Sequence, residues 1–231
     1  ITLGSAGLQI INLFDTMIYM RRLTGALAWS SDAADTAKGI YNFCQTIFNL
    51  PCSLITPITI SIIPTVTAAL TKGNTAGARH TEESAVRTMS LIAMPCAVGL
   101  AVLSEPVIRL LARNYGPESV ATAAPIAVIF NSTVLLFNAI MQAHGDVTTP
   151  VVNMLIGGVV KVVVNYILVA IPSLNIIGAA IGTIVCYVTI TVLDLIAMRR
   201  SVTTRPAIFR NVIRPAAAAG IMGAATFFTA A

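Results

Sequence analysis

Long apolar runs, separated by short polar stretches, divide the chain into seven segments. An α-helix rises about 1.5 Å per residue, so about 20 apolar residues cross a hydrocarbon core about 30 Å thick. The segments approach or exceed that length and predict membrane-spanning helices. The predicted spans are 1–20, 39–71, 88–104, 120–143, 150–171 and 176–197, with a basic connection at 199–214 and a further helix at 215–231. The predicted fold is all-α, a polytopic transmembrane helix bundle with one six-helix lobe (1–198) plus the start of a further helix.

The second predicted span, 39–71, is too long for a simple crossing. As one straight helix it would measure about 50 Å, more than the hydrocarbon thickness. We expect it to tilt, bend or extend past the bilayer. Pro51, Pro57 and Pro64 lie within it, and each removes a backbone donor and disturbs the preceding turn.

Two local signals predict further detail. In the hydrophilic stretch 72–87, Thr81 is a candidate N-cap, with Glu82 and Glu83 in the first turn of the helix that follows. In the sixth span, Gly178 and Gly182 form a GxxxG spacing. Small residues at this spacing allow a neighbouring backbone to approach closely.

A single lysine lies deep inside the fifth span. Lys161 is about 16 Å beyond the predicted helix start near Pro150, so it lies close to mid-membrane. Its side chain is too short to reach the headgroups and must face protein or water. Asn153, Gly157 and Asn165 share its face at steps of four residues. An ionisable residue at this depth indicates a functional site. The alternative is a structural lysine paired with a carboxylate or with carbonyls elsewhere in the bundle.

Polar residues also recur at helical spacing on other spans. A helix that is polar on one side within a membrane faces other protein or water, so these faces predict a shared polar cavity. The candidate cavity-lining residues are Asn12, Asp15, Arg21 and Arg22 on or just after the first span, Asn42, Gln45 and Asn49 on the second, Asn131, Asn138 and Gln142 on the fourth, and Asn153, Lys161 and Asn165 on the fifth.

Composition supports a membrane protein and excludes other classes. The 231 residues are 56% hydrophobic and only 10% charged, which exceeds what a soluble domain of this size carries. The net charge of +5 would suit nucleic acid, but the basic residues lie between apolar segments, so we predict no nucleic-acid partner. The four cysteines lie in apolar spans without paired metal-ligand spacing, so we predict no metal site. The chain opens and ends within apolar runs, as a piece of a longer protein would.

The connections between the predicted spans alternate between two sides of the membrane. One side carries Lys72, Arg79, Arg87, Arg199, Arg200, Arg205, Arg210 and Arg214, and the other carries Arg21, Arg22, Lys38, Arg109 and Arg113. The positive-inside rule places the first set in the cytoplasm. The two histidines, His80 and His144, lie in connections, and no paired carboxylates occur at membrane depth. We therefore predict that the chain is not an enzyme.

Three stretches carry a family resemblance. They are FDTMIYMRRL, GIYNFCQTIFNLPCSLITPITISIIPTVTAAL and PVVNMLIGGVVKVVVNYILVAIPSLNIIGAAIGTIVCY, with NLP, KxxxNYxLV and GAAIGT in order. The chain resembles the C-terminal half of the stage V sporulation protein B branch of polysaccharide exporters. These exporters are relatives of the MurJ lipid II flippases in the multidrug/oligosaccharidyl-lipid/polysaccharide (MOP) superfamily. The resemblance covers nearly the whole chain.

The resemblance implies a transporter of about fourteen helices, in which two six-helix lobes enclose a cavity and alternate in access. Its cargo would be a polyprenyl pyrophosphate-linked sugar, moved across the bacterial plasma membrane for cell-wall or capsule assembly. The implied partners are this lipid-linked oligosaccharide, membrane lipids and the missing N-terminal lobe. Lys161, with Arg21 or Arg22, would attract the pyrophosphate, and the amide and hydroxyl residues would bind the sugar. We predict no cofactor, with Na⁺ or H⁺ as candidate coupling ion. Asp15 would bind that cation, form an ion pair that breaks during transport, or hold Arg22 or Lys161 structurally.

The sequence leaves two alternatives open. A cation-coupled multidrug exporter of the same superfamily, of the MATE type, would share the architecture. Its cargo is usually cationic, so acidic cavity groups would suit it better than a central lysine. The second alternative is a non-transport membrane scaffold. A scaffold needs no polar interior, so the polar faces on four spans argue against it.

Overall fold

The computed structural model of the chain describes residues 30–111, 125–169, 171, 175–204 and 206–230, and the isolated positions 13, 16, 17, 21, 24 and 25. Asn12, Asp15 and Arg22, three of the predicted site residues, lie outside this set. The six long helices are α1 (Ser31–Thr71), α2 (Thr75–Leu111), α3 (Pro125–Ala143), α4 (Thr148–Leu168), α5 (Asn175–Ser201) and α6 (Ile208–Ala230). The predicted all-α fold is confirmed.

Five of these helices are long and apolar enough to cross a membrane. The candidate spans are Ala34–Thr71, Thr75–Val102, Ile126–Ala143, Thr148–Leu168 and Ile177–Ser201. Large apolar side chains, such as those of Leu54, Ile60, Val159 and Ile167, are exposed on the outer faces of α1 and α4. Exposed apolar faces of this size are expected where helices meet lipid. The chain is a multi-pass membrane protein.

Helix α1 is a continuous helix of 41 residues that includes Pro51, Pro57 and Pro64. At the standard rise it is about 60 Å long. It starts at Ser31, eight positions before the predicted span, and so it extends past the hydrocarbon thickness. Serine and threonine side chains of α1 also donate to backbone carbonyls about one turn earlier, as Thr56 Oγ1 does to the Cys52 carbonyl.

The predicted helix start at Thr81 is wrong, because α2 already begins at Thr75. Asn74 caps this start, with its Oδ1 accepting the Gly77 backbone N–H at 2.9 Å. Thr81 lies inside the helix and donates its hydroxyl to the Gly77 carbonyl. Helix α6 likewise begins at Ile208, ahead of Pro215, where the sequence predicted a connection at 199–214.

Two tight turns have the same construction. Gly73 follows α1 with φ +72°, and Gly145 follows α3 with φ +90°. In each turn the next residue donates its backbone N–H to the carbonyl five residues earlier, Asn74 to Ala69 and Asp146 to Met141. Glycine adopts positive φ without steric cost, and this bond pattern closes the helix end. Asp146 Oδ1 accepts the Thr149 N–H at 3.1 Å at the start of α4. The chain thus reverses direction within three or four residues.

Helix α3 is central in the bundle. It contacts α1, α2 and α5, whereas α4 packs mainly on α5 and α6 mainly on α2. The largest cluster of buried apolar residues joins α1, α2, α3 and the end of α5, and includes Val66, Val86, Phe137, Ile140 and Met198. Burial of such side chains is favourable by about 1.5–3 kcal/mol each. The apolar core therefore lies toward the end of the bundle where the two glycine turns are.

Two connections and the first part of α2 meet at that end in a buried polar cluster. Glu82 Oε1 lies 2.7 Å from His144 Nε2, and Glu82 Oε2 accepts a short hydrogen bond from the Thr204 hydroxyl. The Glu82 and His144 side chains are 0% and 3% exposed. Asp146 Oδ2 also accepts the Ser201 hydroxyl at 2.6 Å. Side-chain bonds therefore join the start of α2, the α3–α4 turn and the segment after α5.

The ionisation of Asp146, in the turn before α4, should make the stability of the protein depend on pH. Burial works against its ionisation, but the bonds from Ser201 and Thr149 outweigh burial and hold the pKa of Asp146 below its ordinary value. A carboxylate with a lowered folded-state pKa adds stability above its ordinary pKa, about 4, and loses it as the pH falls through the folded value. We expect the unfolding temperature in detergent to fall below about pH 4. In Asp146→Asn the fall should be smaller, and in Ser201→Ala it should also be smaller and end at higher pH, because loss of the Ser201 bond raises the folded-state pKa of Asp146 toward its ordinary value. An identical acid profile in all three proteins would contradict this.

Candidate functional site

Helices α4 and α5 are antiparallel neighbours joined along a line of glycines. A β-carbon added at Gly178 would lie 2.9 Å from the backbone carbonyl carbon of Leu168 and 3.0 Å from the Val169 nitrogen. At Gly182 it would overlap the Asn165 side chain, and at Gly157 the Ile190 side chain. The close approach predicted from the GxxxG spacing is confirmed.

A buried carboxylate lies on the same contact line. Asp194 of α5 is 0% exposed, and its Oδ1 accepts the Asn153 Nδ2–H at 2.8 Å. Within the described part of the chain, Asp194 Oδ2 has no hydrogen-bond partner. An orphaned buried polar atom costs about 1–3 kcal/mol, and here it adjoins an amide predicted to line the cavity.

The predicted stripe on α4 therefore divides into two parts. Asn153, Gly157 and Asn165 are buried against α5, so these three residues face a helix. Lys161, one turn from both Gly157 and Asn165, is only partly buried. Its charge acts on the hydroxyl of Tyr187 on α5. The partly buried ammonium therefore lies within electrostatic range of a hydroxyl group on α5.

A hydroxyl network extends from this point to α1. Tyr187 lies one helical turn from Thr183, on the same face of α5. The Tyr41 oxygen is 3.0 Å from Thr183 Oγ1 and accepts the Gln45 Nε2–H at 2.7 Å. Tyr41, Thr183 and Gln45 are thus joined by hydrogen bonds across α1 and α5. Tyr187 on α5 and Lys161 on α4 add a hydroxyl and an ammonium, and we call these five residues the polar network.

The predicted amides of α3 bind neighbouring helices. Asn131 Nδ2 donates to Cys52 Sγ of α1 at 3.3 Å, and Asn138 Nδ2 donates to Met154 Sδ of α4 at 3.4 Å. Gln142 is half-buried near the end of α3. Bonds to sulfur are weak, so these amides remain able to exchange partners.

Two predicted residues of α1 are exposed. Asn42 and Asn49 lie about one turn before and one turn after Gln45, and both are exposed, as is Arg21 before α1. The structure thus places the polar network beside an open amide face on α1. An arrangement of one cation, three hydroxyls and several amides can bind an anion and hydroxyl-rich groups together.

Substitution at Gly178 tests the α4–α5 contact. We expect Gly178→Val to lower stability by about 1–3 kcal/mol, since the added carbons meet backbone and no rotamer relieves the overlap. Thermal unfolding of the detergent-solubilised protein measures this as a lower midpoint. Gly220→Val is the matched control, because nothing lies within 4 Å of a β-carbon there. Equal midpoints for the two variants would contradict the close approach.

Sequence reasoning missed Asp194, Tyr41 and Thr183. Asp194 carried a usable signal, because a carboxylate two turns before the end of an apolar span must find a partner. Tyr41 and Thr183 carried none, since tyrosine and threonine are ordinary in membrane helices. Their positions depend on how α1 lies against α5.

Comparison with known proteins gives a family. The family model described as lipid II flippase MurJ matches residues 2–230. The lipid II flippase MurJ of Bacillus subtilis (strain 168) is 26% identical in an alignment of 201 positions that covers 84% of this chain and 36% of that protein. An uncharacterised membrane protein of the same organism, YabM, is 24% identical over 87% of this chain and 37% of its own length. The chain spans little more than a third of these relatives.

The fold also resembles a solved structure. A multidrug resistance MATE family transporter of the MOP superfamily, in an inward-facing conformation, superposes with a TM-score of 0.67. The match covers 96% of this chain and 52% of that one at 16% identity. This likeness concerns the fold alone. Together with the family match, it confirms the resemblance read from the sequence.

Proposed function

The chain belongs to the lipid II flippase MurJ family, and on this premise we propose that it forms one lobe of a flippase. The cargo is a polyprenyl pyrophosphate-linked sugar such as lipid II. The whole transporter, with a second lobe, moves it from the inner to the outer leaflet of the bacterial plasma membrane by alternating access. Such transport supplies cell-wall or capsule assembly and involves no catalytic step by this chain.

The observation that carries the proposal is the polar network around Lys161. A lipid-linked sugar has an anionic pyrophosphate, a hydroxyl-rich headgroup and a tail that stays in lipid. A partly buried ammonium at mid-membrane is suited to the pyrophosphate, because charge-assisted hydrogen bonds are the strong ones in such surroundings. The ammonium therefore holds the charged part of the cargo in our proposal.

The sugar is assigned to the groups around the lysine. The Tyr41 and Thr183 hydroxyls and the Gln45 amide both donate and accept hydrogen bonds, as sugar hydroxyls require. The exposed amides of Asn42 and Asn49 continue this surface along α1. Asn153, Asn165 and Asp194 serve the α4–α5 contact in this proposal and do not touch cargo.

A cationic-drug exporter fits the described charges less well. A cationic cargo needs carboxylates on the open polar surface. Asp194 is fully buried against α4, and the open part of the described network presents a lysine and amides. We therefore favour an anionic cargo.

The whole protein in proteoliposomes tests the proposal. Lipid-linked pyrophosphate sugar is placed in both leaflets, and its accessibility to an impermeant sugar-modifying enzyme is followed with time. We expect protein-dependent exposure of the inner-leaflet pool, and no protein-dependent uptake of a cationic dye in matched vesicles. Dye transport without sugar transport would overturn the proposal and support the MATE-type exporter. Transport of neither would favour the scaffold.

A further inference from the structure

A basic groove lies between α2 and α6, apart from the polar network. Its volume is about 480 Å³. Arg79 and Arg87 line it from α2, Arg210 and Arg214 line it from α6, and Glu83 is its carboxylate. Four arginines thus line one opening between two helices.

The single carboxylate leaves most of this charge uncompensated. Glu83 Oε1 accepts the Arg79 Nε–H at 2.8 Å and the Ala207 backbone N–H at 3.0 Å. Among the described residues, Arg87, Arg210 and Arg214 form no ion pair. Glu83 therefore fixes one end of the groove by joining α2 to the segment before α6, while three guanidinium groups remain available to an anion.

The groove changes from charged to apolar within one turn on both helices. Along α2 the lining residues Arg79, Glu83, Arg87 and Leu91 recur every four positions, and along α6 so do Arg210, Arg214 and Ala218. Leu91 is 52% exposed. A β-carbon at Gly223 would overlap the Val98 side chain, so deeper in the bundle the two helices are in contact and the groove is closed.

An apolar hollow adjoins the groove on the other side of the α6 start. Its volume is about 620 Å³, and it shares Ala207 and Arg210 with the basic groove. Leu195, Met198 and Ile208 are among its lining residues. Arg210 therefore lies at the boundary between the basic groove and the apolar hollow.

We propose that the basic groove binds the phosphate headgroup of an anionic phospholipid from the inner leaflet. The predicted orientation puts this end in the cytoplasm, next to the leaflet whose anionic lipids attract basic segments. Guanidinium groups bind phosphate through paired hydrogen bonds. One turn deeper, Leu91 and Ala218 meet the start of the acyl chains, and the apolar hollow beside Arg210 accepts a second chain. A soluble phosphate would gain nothing from these apolar walls, so we assign the site to a lipid.

The site lies apart from the cargo route. Helix α6 packs mainly against α2, whereas Lys161 is on α4, which packs against α5. Loss of lipid binding in the groove and loss of cargo binding at Lys161 are therefore separable results.

Titration of acyl-labelled phosphatidylglycerol into the detergent-solubilised whole protein tests this, with labelled phosphatidylcholine in parallel. We expect the double variant Arg87→Gln/Arg214→Gln to weaken phosphatidylglycerol binding about tenfold or more, since each basic residue contributes to attraction for anionic lipid. The control Lys72→Gln/Arg200→Gln removes the same charge from exposed positions at the same end, outside the groove. It should keep the affinity within about twofold.

Several results would overturn the proposal. These are equal losses in the two double variants, no loss in either, or displacement of phosphatidylglycerol by inorganic phosphate as readily as by unlabelled lipid. Stronger displacement by lipid-linked pyrophosphate sugar would instead assign the groove to cargo.

The unmodified protein provides a second measurement that does not depend on how a variant folds. An arginine-specific dicarbonyl reagent should modify Arg87, Arg210 and Arg214 more slowly when phosphatidylglycerol is present, while Arg200 reacts at an unchanged rate. Peptide mass spectrometry measures the extent of modification at each arginine. Equal protection of Arg200 and the groove arginines, or protection of none, would contradict a specific lipid-binding site in the groove.

Discussion

Lys161→Ala in the whole transporter should reduce the flipping rate of lipid-linked sugar by about a hundredfold, the scale of losing one buried charge partner. The ammonium is one turn from the buried Gly157 and Asn165, and its charge acts on the Tyr187 hydroxyl. No other cation of the described residues lies on α4. Initial rates in proteoliposomes measure the effect, and Lys161→Arg should retain part of the activity because it keeps the charge.

Stability measured on the same protein separates cargo binding from a structural role. If Lys161 binds cargo, Lys161→Ala should unfold within a few degrees of the unmodified protein. If it is a structural lysine, the midpoint should fall markedly and transport should fall with it. Lys72→Ala, at an exposed position in the turn after α1, is the matched control and should leave both unchanged. Normal transport by Lys161→Ala would remove the lysine from the proposed mechanism.

Glu82→Ala should destabilise the protein more than either Gly178→Val or Ser201→Ala. The Glu82 side chain is 0% exposed and its two oxygens contact His144 and Thr204. Removal takes the carboxylate from two buried polar groups, which keep only their long 3.4 Å contact with each other; this costs about 1–3 kcal/mol for each group and creates a cavity. We expect a total of about 3–5 kcal/mol. Thermal unfolding in detergent measures this as a clear fall in the midpoint.

The neighbouring residue is a close control. Glu83 has the same chemistry, but its side chain is 28% exposed and pairs with Arg79, which is 51% exposed. Exposed pairs contribute about 0–1 kcal/mol, so Glu83→Ala should lower the midpoint only slightly. Glu82→Gln keeps the shape and one acceptor and should fall between the two. If Glu82→Ala and Glu83→Ala unfold at the same temperature, the buried cluster does not hold α2 to the two connections as described.

Much of the fold could be predicted from apolar length alone. The runs at 39–71 and 150–171 determined the type and approximate position of α1 and α4, because few other structures satisfy backbone groups in lipid. The helix starts were predicted less well. Residues 31–38, 75–80 and 208–214 include polar or charged side chains, and hydropathy excludes such stretches from a membrane span although a helix can continue through them. The helices continue past the membrane until a glycine or a capping side chain ends them.

The side-chain pairings could not be predicted in the same way. Glu82, His144 and Thr204 are separated by about 60 residues at each step, and no periodicity connects them. Helical spacing identified Asn153 as facing inward, but only the alignment of α4 against α5 brings it to Asp194. Helical spacing in the sequence placed Asn153, Gly157, Lys161 and Asn165 on one face of the helix. In the structure, Asn153, Gly157 and Asn165 contact α5, because glycine spacing brings the two backbones close enough to cover them.

The tight fit between α4 and α5 also limits how a transporter built on this lobe can move. With glycines against backbone at one end and the Asn153–Asp194 bond at the other, neither helix can slide or rotate past its neighbour without breaking several contacts at once. We therefore expect α4 and α5 to move together as one rigid unit. Any swing of this pair relative to α1 would have to break the Tyr41–Thr183 contact or carry α1 with it, because those two hydroxyls bond across the two helices.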